Sequence, residues 1–284
     1  MSIKQTADPL QRSILAGRPN PGREHMTATL DLNCDMGESF GAYTIGDDAK
    51  MMETVTTANV ACGFHAGDPV VMRRTIALAK AAGVAIGAHP SFLDLYGFGR
   101  RRILGDRPED LEAHLIYQIA AMQGMAAAQG HPMTHVKTHG ALGNMAAVDP
   151  DLAAVCARAV ATVDPTLVYV SLPYSETYAA AEKAGLTVAC EIYADRSYTD
   201  TGELTPRSAP GAVIHDIAQS TDQVLEMVLN RHIPTTGGKR LPVEPATLCI
   251  HGDTQGAPAI AAALRAALED NGVTIAPFAT PKRS

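Results

Sequence analysis

A chain of 284 residues, 46% hydrophobic and 19% charged, has the apolar material for a sizeable core, which excludes disorder as its general state. A formal net charge of −7 with no run of Lys or Arg argues against nucleic-acid or anionic-membrane partners, and no apolar stretch is long enough to span a bilayer. The five cysteines (Cys34, Cys62, Cys156, Cys190, Cys249) are odd in number and widely spaced, with no C-x-x-C pair. They read as reduced, packed thiols of a cytoplasmic protein and not as a disulfide framework or zinc knot.

Residues 1–26 are polar, contain Pro9, Pro19 and Pro21, and lack the apolar segment of a signal peptide, so a disordered N-terminal extension is expected there, with Met26 a candidate start. Residues 27–280 then read as a single domain, a length typical of one α/β barrel. Strands are expected at Thr29–Asn33, Asn59–Cys62, Val84–Ala88, His135–Thr138, Leu167–Leu172, Thr187–Ile192 and Thr247–His251, with a further candidate at Val273–Phe278. They are rich in Val, Ile, Leu and Ala without clean alternation, the pattern of parallel strands buried on both faces. Helices are expected to open at Asp68-Pro69, Arg107-Pro108, Asp149-Pro150 and Ser175, and an Ala-rich one runs from Gly256 to Asn271. Residues 193–211 and 232–245 read as long connections. Repeated strand–helix alternation implies an α/β fold with a parallel sheet.

Nearly every expected strand runs into reactive side chains: Asn33, Asp35 and Glu38; His65 and Asp68; His89, then Arg100 and Arg101; Lys137 and His139; Glu191, Asp195 and Arg196; His251 and Asp253. In parallel α/β proteins the C-terminal strand ends share one face, so these groups converge, and a closed barrel accounts for that better than an open sheet with one switch point. Each also has a plainer reading. Asp68 before Pro69 is a natural helix cap, a lone His89 is more often a core histidine, and Arg100 and Arg101 could form internal salt bridges. Four histidines at strand ends (His65, His89, His139 and His251), each within two residues of Gly, Pro or Asp, favour function. The sequence has no G-x-x-x-x-G-K-[ST] phosphate loop, G-x-G-x-x-G, H-E-x-x-H or G-x-S-x-G, and Gly237-Gly238-Lys239 lacks the rest of a nucleotide signature.

The blocks Asp31-Leu-Asn-Cys-Asp-Met-Gly-Glu38, Ala61-Cys-Gly-Phe-His-Ala-Gly-Asp68, Gly87-Ala-His-Pro-Ser91, Gly97-Phe-Gly-Arg-Arg101, His135-Val-Lys-Thr-His-Gly-Ala-Leu142, Glu191-Ile-Tyr-Ala-Asp-Arg196 and His251-Gly-Asp253 resemble those of the LamB/YcsF family, in its order and spacing. Two positions depart from the family pattern: Thr138 stands where proline is usual and Gly143 where tyrosine is usual, and a small residue at 143 would widen the pocket or alter a substrate contact.

The resemblance implies a seven-stranded, TIM-like β/α barrel of the glycoside hydrolase/deacetylase type. It also implies ATP-dependent ring opening of 5-oxo-L-proline to L-glutamate, as the A subunit of a 5-oxoprolinase with partner subunits B and C. With no phosphate loop in this chain, the partners are expected to perform or complete the ATP step. Asp35, Glu38 or Asp68 is the expected general base and His65 or His139 the proton shuttle. Lys137 and Arg100 would steady an anionic oxygen. Asn33, His89, Arg101, Glu191, Asp195, Arg196, His251 and Asp253 are expected around the substrate. The alternative reading is a metal-dependent amidohydrolase or deacetylase with a divalent ion on Asp35, His65, His89 and His139. A non-catalytic ligand-sensing role is the weakest reading. Homo-oligomerisation stays open.

Overall fold

The structure, a computed structural model, describes residues 28–250 and 256–280; the expected N-terminal extension, His251 and Asp253 lie outside the described residues. In chain order the strands are β1 (Thr29–Met36), β2 (Thr57–Ala61), β3 (Ala85–His89), β4 (His135–Val136), β5 (Val168–Ser171), β6 (Thr187–Tyr193), β7 (His232–Pro234), β8 (Arg240–Pro242), β9 (Thr247–Cys249) and β10 (Thr274–Ile275). The helices are α1 (Asp48–Met51), α2 (Pro69–Ala82), α3 (Pro108–Ala128), α4 (Gly140–Ala146), α5 (Pro150–Val163), α6 (Glu176–Lys183), α7 (Ile217–Leu229) and α8 (Ala257–Asp270).

Among the described residues, seven parallel strands close into a barrel in the order β1-β2-β3-β4-β5-β6-β9, with β9 returning to β1 through Asp31↔Thr247 and Asn33↔Cys249. The seven-stranded TIM-like expectation is borne out. The last expected strand, β10, adds to the lower end of β1 at Thr29 and Leu30, and β7 and β8 form a separate antiparallel hairpin.

The helices start where their caps predict. Asp68 Oδ1 accepts from the Val70 and Val71 amides, Asp149 Oδ1 from Asp151 and Leu152, and Ser175 Oγ from Tyr178. α7 and the hairpin are additions to the sequence reading, which left 212–231 unassigned and took 232–245 as a connection. The period was present: Ser220, Val224, Met227 and Val228 form the buried face of α7, and Asp216 caps it at the Gln219 amide.

β1 alternates cleanly. Leu30, Leu32, Cys34 and Met36 join the apolar shell between sheet and helices, with Ile76 and Ala79 of α2 and Leu115, Ile119 and Met122 of α3. Asp31, Asn33 and Asp35 bond to residues of other strands across the barrel interior. The barrel axis is therefore polar, and the apolar core is the ring around it. The strands are buried on both faces, as expected, but the inward face is polar, an alternation that the sequence reading did not bring out.

Candidate active site

The polar axis is layered. At its lower end Asp31 accepts hydrogen bonds from Thr56 and Thr57, each at 2.5 Å, and from Thr247. Burial pushes its carboxyl up to about 6, although the three hydroxyls pull the other way. Above it, Asn33 Nδ2 donates to Thr247 Oγ1 at 2.7 Å and Glu191 Oε1 at 3.1 Å, and Asn59 Nδ2 donates to Asn33 Oδ1 and Asp35 Oδ1. His135 bonds Asn59 Oδ1 and Thr134 Oγ1, and burial lowers its pKa to about 3.

At the top of this column stands Lys137, whose ammonium lies 2.7 Å from Glu191 Oε1 and 3.1 Å from Asp35 Oδ1. Burial opposes its charge, but Asp35 and Glu191 hold its pKa well above the ordinary lysine value. Tyr193 donates to Glu191 Oε2 at 2.8 Å and so fixes that carboxylate from its other side. Burial alone would raise Asp35; the facing His89 and Lys137 outweigh it and hold the carboxyl well below the usual range.

Three histidines from consecutive strand ends meet beside Asp35. His89 Nδ1 donates to the Lys137 carbonyl at 2.7 Å, so its Nε2 faces Asp35 Oδ2 at 3.2 Å and His139 Nδ1 at 3.1 Å. His139 Nε2 donates to the Phe98 carbonyl at 2.8 Å. His65 stacks on His139 with ring centroids 3.8 Å apart, and its Nε2 lies 3.8 Å from Glu38 Oε1. Burial and neighbouring histidines lower His139 to about 3 and His65 well below its ordinary value, so both are neutral near pH 7.

These groups border a cavity of about 490 Å³ lined by Asp35, Glu38, His89, Arg100, Lys137 and His139 at one end, and by Val148, Tyr174, Pro206 and Arg207 further out. Thr138 and Gly143 line it together. A Cβ at 143 would lie 2.9 Å from the Thr138 carbonyl oxygen and 3.2 Å from its Oγ1.

The structure brings together Asn33, Asp35, Glu38, His65, His89, Lys137, His139 and Glu191, with Arg100 at the rim. It sets others apart. Both oxygens of Asp68 serve backbone amides, Oδ1 those of α2 and Oδ2 that of Gly41, so the capping reading describes it. Arg101 pairs with Asp94, outside the cavity lining. Arg196 reaches the cavity wall, but its guanidinium donates to the Ala212 and Thr205 carbonyls, and Asp195 is not in the lining. Sequence reasoning missed Asn59, Tyr193 and Cys249. Tyr193 is two residues beyond Glu191 on the same strand, so a period of two would have placed it on the same face.

A closed parallel barrel with acid–base groups gathered at the C-terminal ends of its strands defines a barrel enzyme. The chain belongs to the LamB/YcsF family, matching it over residues 30–283. The 5-oxoprolinase A subunit of Nitrobacter hamburgensis is 50% identical over 254 residues, covering 89% of this chain and 100% of the relative. That of Brevibacillus brevis is 52% identical over 248 residues, covering 87% and 97%. The crystal structure of the lactam utilization protein from Thermus thermophilus superposes with a TM-score of 0.83 at 44% identity, covering 88% of this chain and 100% of that one.

Proposed function

We propose that this chain, as one catalytic domain over residues 27–280, is the A subunit of a cytoplasmic 5-oxoprolinase. It hydrolyses the ring amide of 5-oxo-L-proline to L-glutamate in an ATP-driven reaction with partner subunits B and C. The carrying observation is full-length identity near 50% to relatives named as 5-oxoprolinase A subunits. A five-membered lactam is a stable amide, so its carbonyl needs activation. Phosphorylation of the carbonyl oxygen by the partners supplies that and creates a leaving group.

The geometry supports one division of roles. Asp68 is held as a helix cap, and Asp35 is held between Lys137, Asn59 and His89, which makes Asp35 a positioning residue. Glu38, whose Oε1 lies 3.8 Å from His65 and 4.0 Å from His139, is then the general base for the attacking water. The water oxygen bonds to the phosphorylated lactam carbon, the C–N bond breaks to give the acyl phosphate, and the proton taken by Glu38 passes through His65 to the ring nitrogen; a second water then releases inorganic phosphate and leaves the free carboxylate of glutamate. Lys137 and Arg100 steady the anionic oxygen or the substrate carboxylate.

The test is glutamate release from 5-oxo-L-proline by the chain alone and with B and C, each with and without ATP. Glutamate is expected only with partners and ATP, and Glu38→Gln should lower its rate about 100-fold or more. Release by the chain alone without ATP would overturn the partner-activated scheme. No release under any condition would overturn the reading in favour of a metal-dependent amidohydrolase, which the grouping of Asp35, His89 and His139 favours.

A further inference from the structure

Two imidazole nitrogens and a carboxylate oxygen face one another at the cavity floor. His89 uses Nδ1–H on the Lys137 carbonyl and His139 uses Nε2–H on the Phe98 carbonyl, so His89 Nε2 and His139 Nδ1, 3.1 Å apart, are the ring nitrogens left facing the cavity floor. Asp35 Oδ2 completes the group at 3.2 Å from His89 Nε2, and the three donor atoms lie within 4.8 Å of one another. At such spacing these donor atoms need a cation among them, a proton on His89 Nε2 in the metal-free protein or a metal ion that displaces it. Metal–ligand bonds near 2.0–2.1 Å in a tetrahedral site put neighbouring donor atoms about 3.3 Å apart, close to the spacings here.

The outer contacts also match. Metal-bound histidines generally donate their second N–H to a carbonyl or carboxylate, and ligand carboxylates are themselves anchored. Both histidines donate to backbone carbonyls, and Asp35 Oδ1 is held by Lys137 and Asn59. A separate observation comes from His65. It is 1% exposed, and neither of its ring nitrogens has a hydrogen-bond partner among the described residues. Buried polar atoms without partners are costly, and this ring lies against His139 and faces Glu38.

We propose that Asp35 Oδ2, His89 Nε2 and His139 Nδ1 bind one divalent first-row transition ion of the zinc type, with Glu38 and His65 at its open side. A mixed imidazole–carboxylate donor set suits such ions and is poor for calcium or magnesium. When bound, the ion supplies a Lewis acid to a carbonyl oxygen reaching the cavity floor. The site lies in the cavity assigned to 5-oxoproline but does not depend on that assignment, because metal content and glutamate release are separate readouts.

The tag-free full chain is stripped with chelator, dialysed, incubated with Zn²⁺, Mn²⁺ or Co²⁺, desalted, and assayed for metal by mass spectrometry. About one ion per chain is expected for at least one metal, and X-ray absorption of the zinc form should report two imidazole nitrogens. His89→Gln, His139→Gln and Asp35→Asn should each lower bound metal roughly tenfold or more, whereas His215→Ala, at an exposed histidine, should not. Only variants that melt cooperatively as apo-proteins enter that comparison. Wild type that retains none of the three metals overturns the site. So does a zinc spectrum without histidine, or undiminished metal in the folded variants. None of these outcomes bears on whether 5-oxoproline is the substrate.

Discussion

Lys137 is the residue on which the polar column turns. It is buried between Asp35 and Glu191, and its removal strands two carboxylates in a low-dielectric site. Breaking a buried ion pair from one side costs about 3–5 kcal/mol, so Lys137→Met should lower the urea midpoint by a corresponding amount. Adding Glu191→Gln should recover part of the loss, because one stranded charge is then gone; a double variant no more stable than the single would refute the pairing. Much of this site was legible from residue types at strand ends. Lys137, Glu191 and the histidines all followed apolar runs. The parts that were not legible are those whose role depends on a neighbour brought across the barrel. Asn59 acquires its role only by bridging Asn33 and Asp35, and Arg196 loses its expected one because two loop carbonyls take its guanidinium.

Among the elements, the segment after β3 holds the histidines in place. Gly99 sits at φ +64°, and its carbonyl accepts from the Ala141 amide at the start of α4. A Cβ there would lie 2.6 Å from Ser91 Oγ, 2.7 Å from the His139 ring and 2.8 Å from His65. Gly99→Ala should therefore displace both rings and lower kcat by about 100-fold, as small misplacements at a reacting centre do. Gly83→Ala is the matched control. Gly83 has a similar φ of +71° at the end of α2 but open space around it, so it should cost about 1 kcal/mol in stability and leave kcat unchanged. Equal kcat for the two variants would contradict the packing argument. Helix starts were readable from Asp68-Pro69, Asp149-Pro150 and Ser175 because a cap is a local event. The β7–β8 hairpin was not, since Pro234 and Pro242 sit in three-residue strands too short to carry a pattern.

For the whole molecule, a polar axis inside an apolar ring makes stability depend on pH in two opposing ways. His135 stays neutral down to about 3 when folded, against 6.5 as its ordinary value. Its contribution is fully present above 6.5 and is lost as pH falls toward 3. Asp31 takes its proton at about 6 when folded, against 3.8 ordinarily, so its effect runs the other way and stability rises as pH falls from 6 toward 3.8. Between roughly pH 7.5 and pH 4.5 each amounts to about 2–3 kcal/mol. His135→Gln should therefore raise stability at the lower pH relative to its own value at the higher one, and Asp31→Asn should lower it. Denaturant midpoints at both pH values check this, and slopes that move together would sink it. The barrel itself was legible from six strand-to-cluster transitions. Its polar interior was not, because burial of Asp31, Asn33 and Thr247 becomes tolerable only once closure between β1 and β9 supplies their partners. The roof over the histidines has a further consequence. Phe98 packs edge-on to both His65 and His139, and the Gly99–Ala141 bond ties that roof to α4. Among the described residues, Val148, Tyr174, Pro206 and Arg207 are exposed parts of the cavity lining, and they form a gate there. Selectivity then has two separable layers: the gate screens by girth, and the floor recognises the functional group. Trimming the gate should broaden the range of ring substituents accepted while the reaction type stays the same.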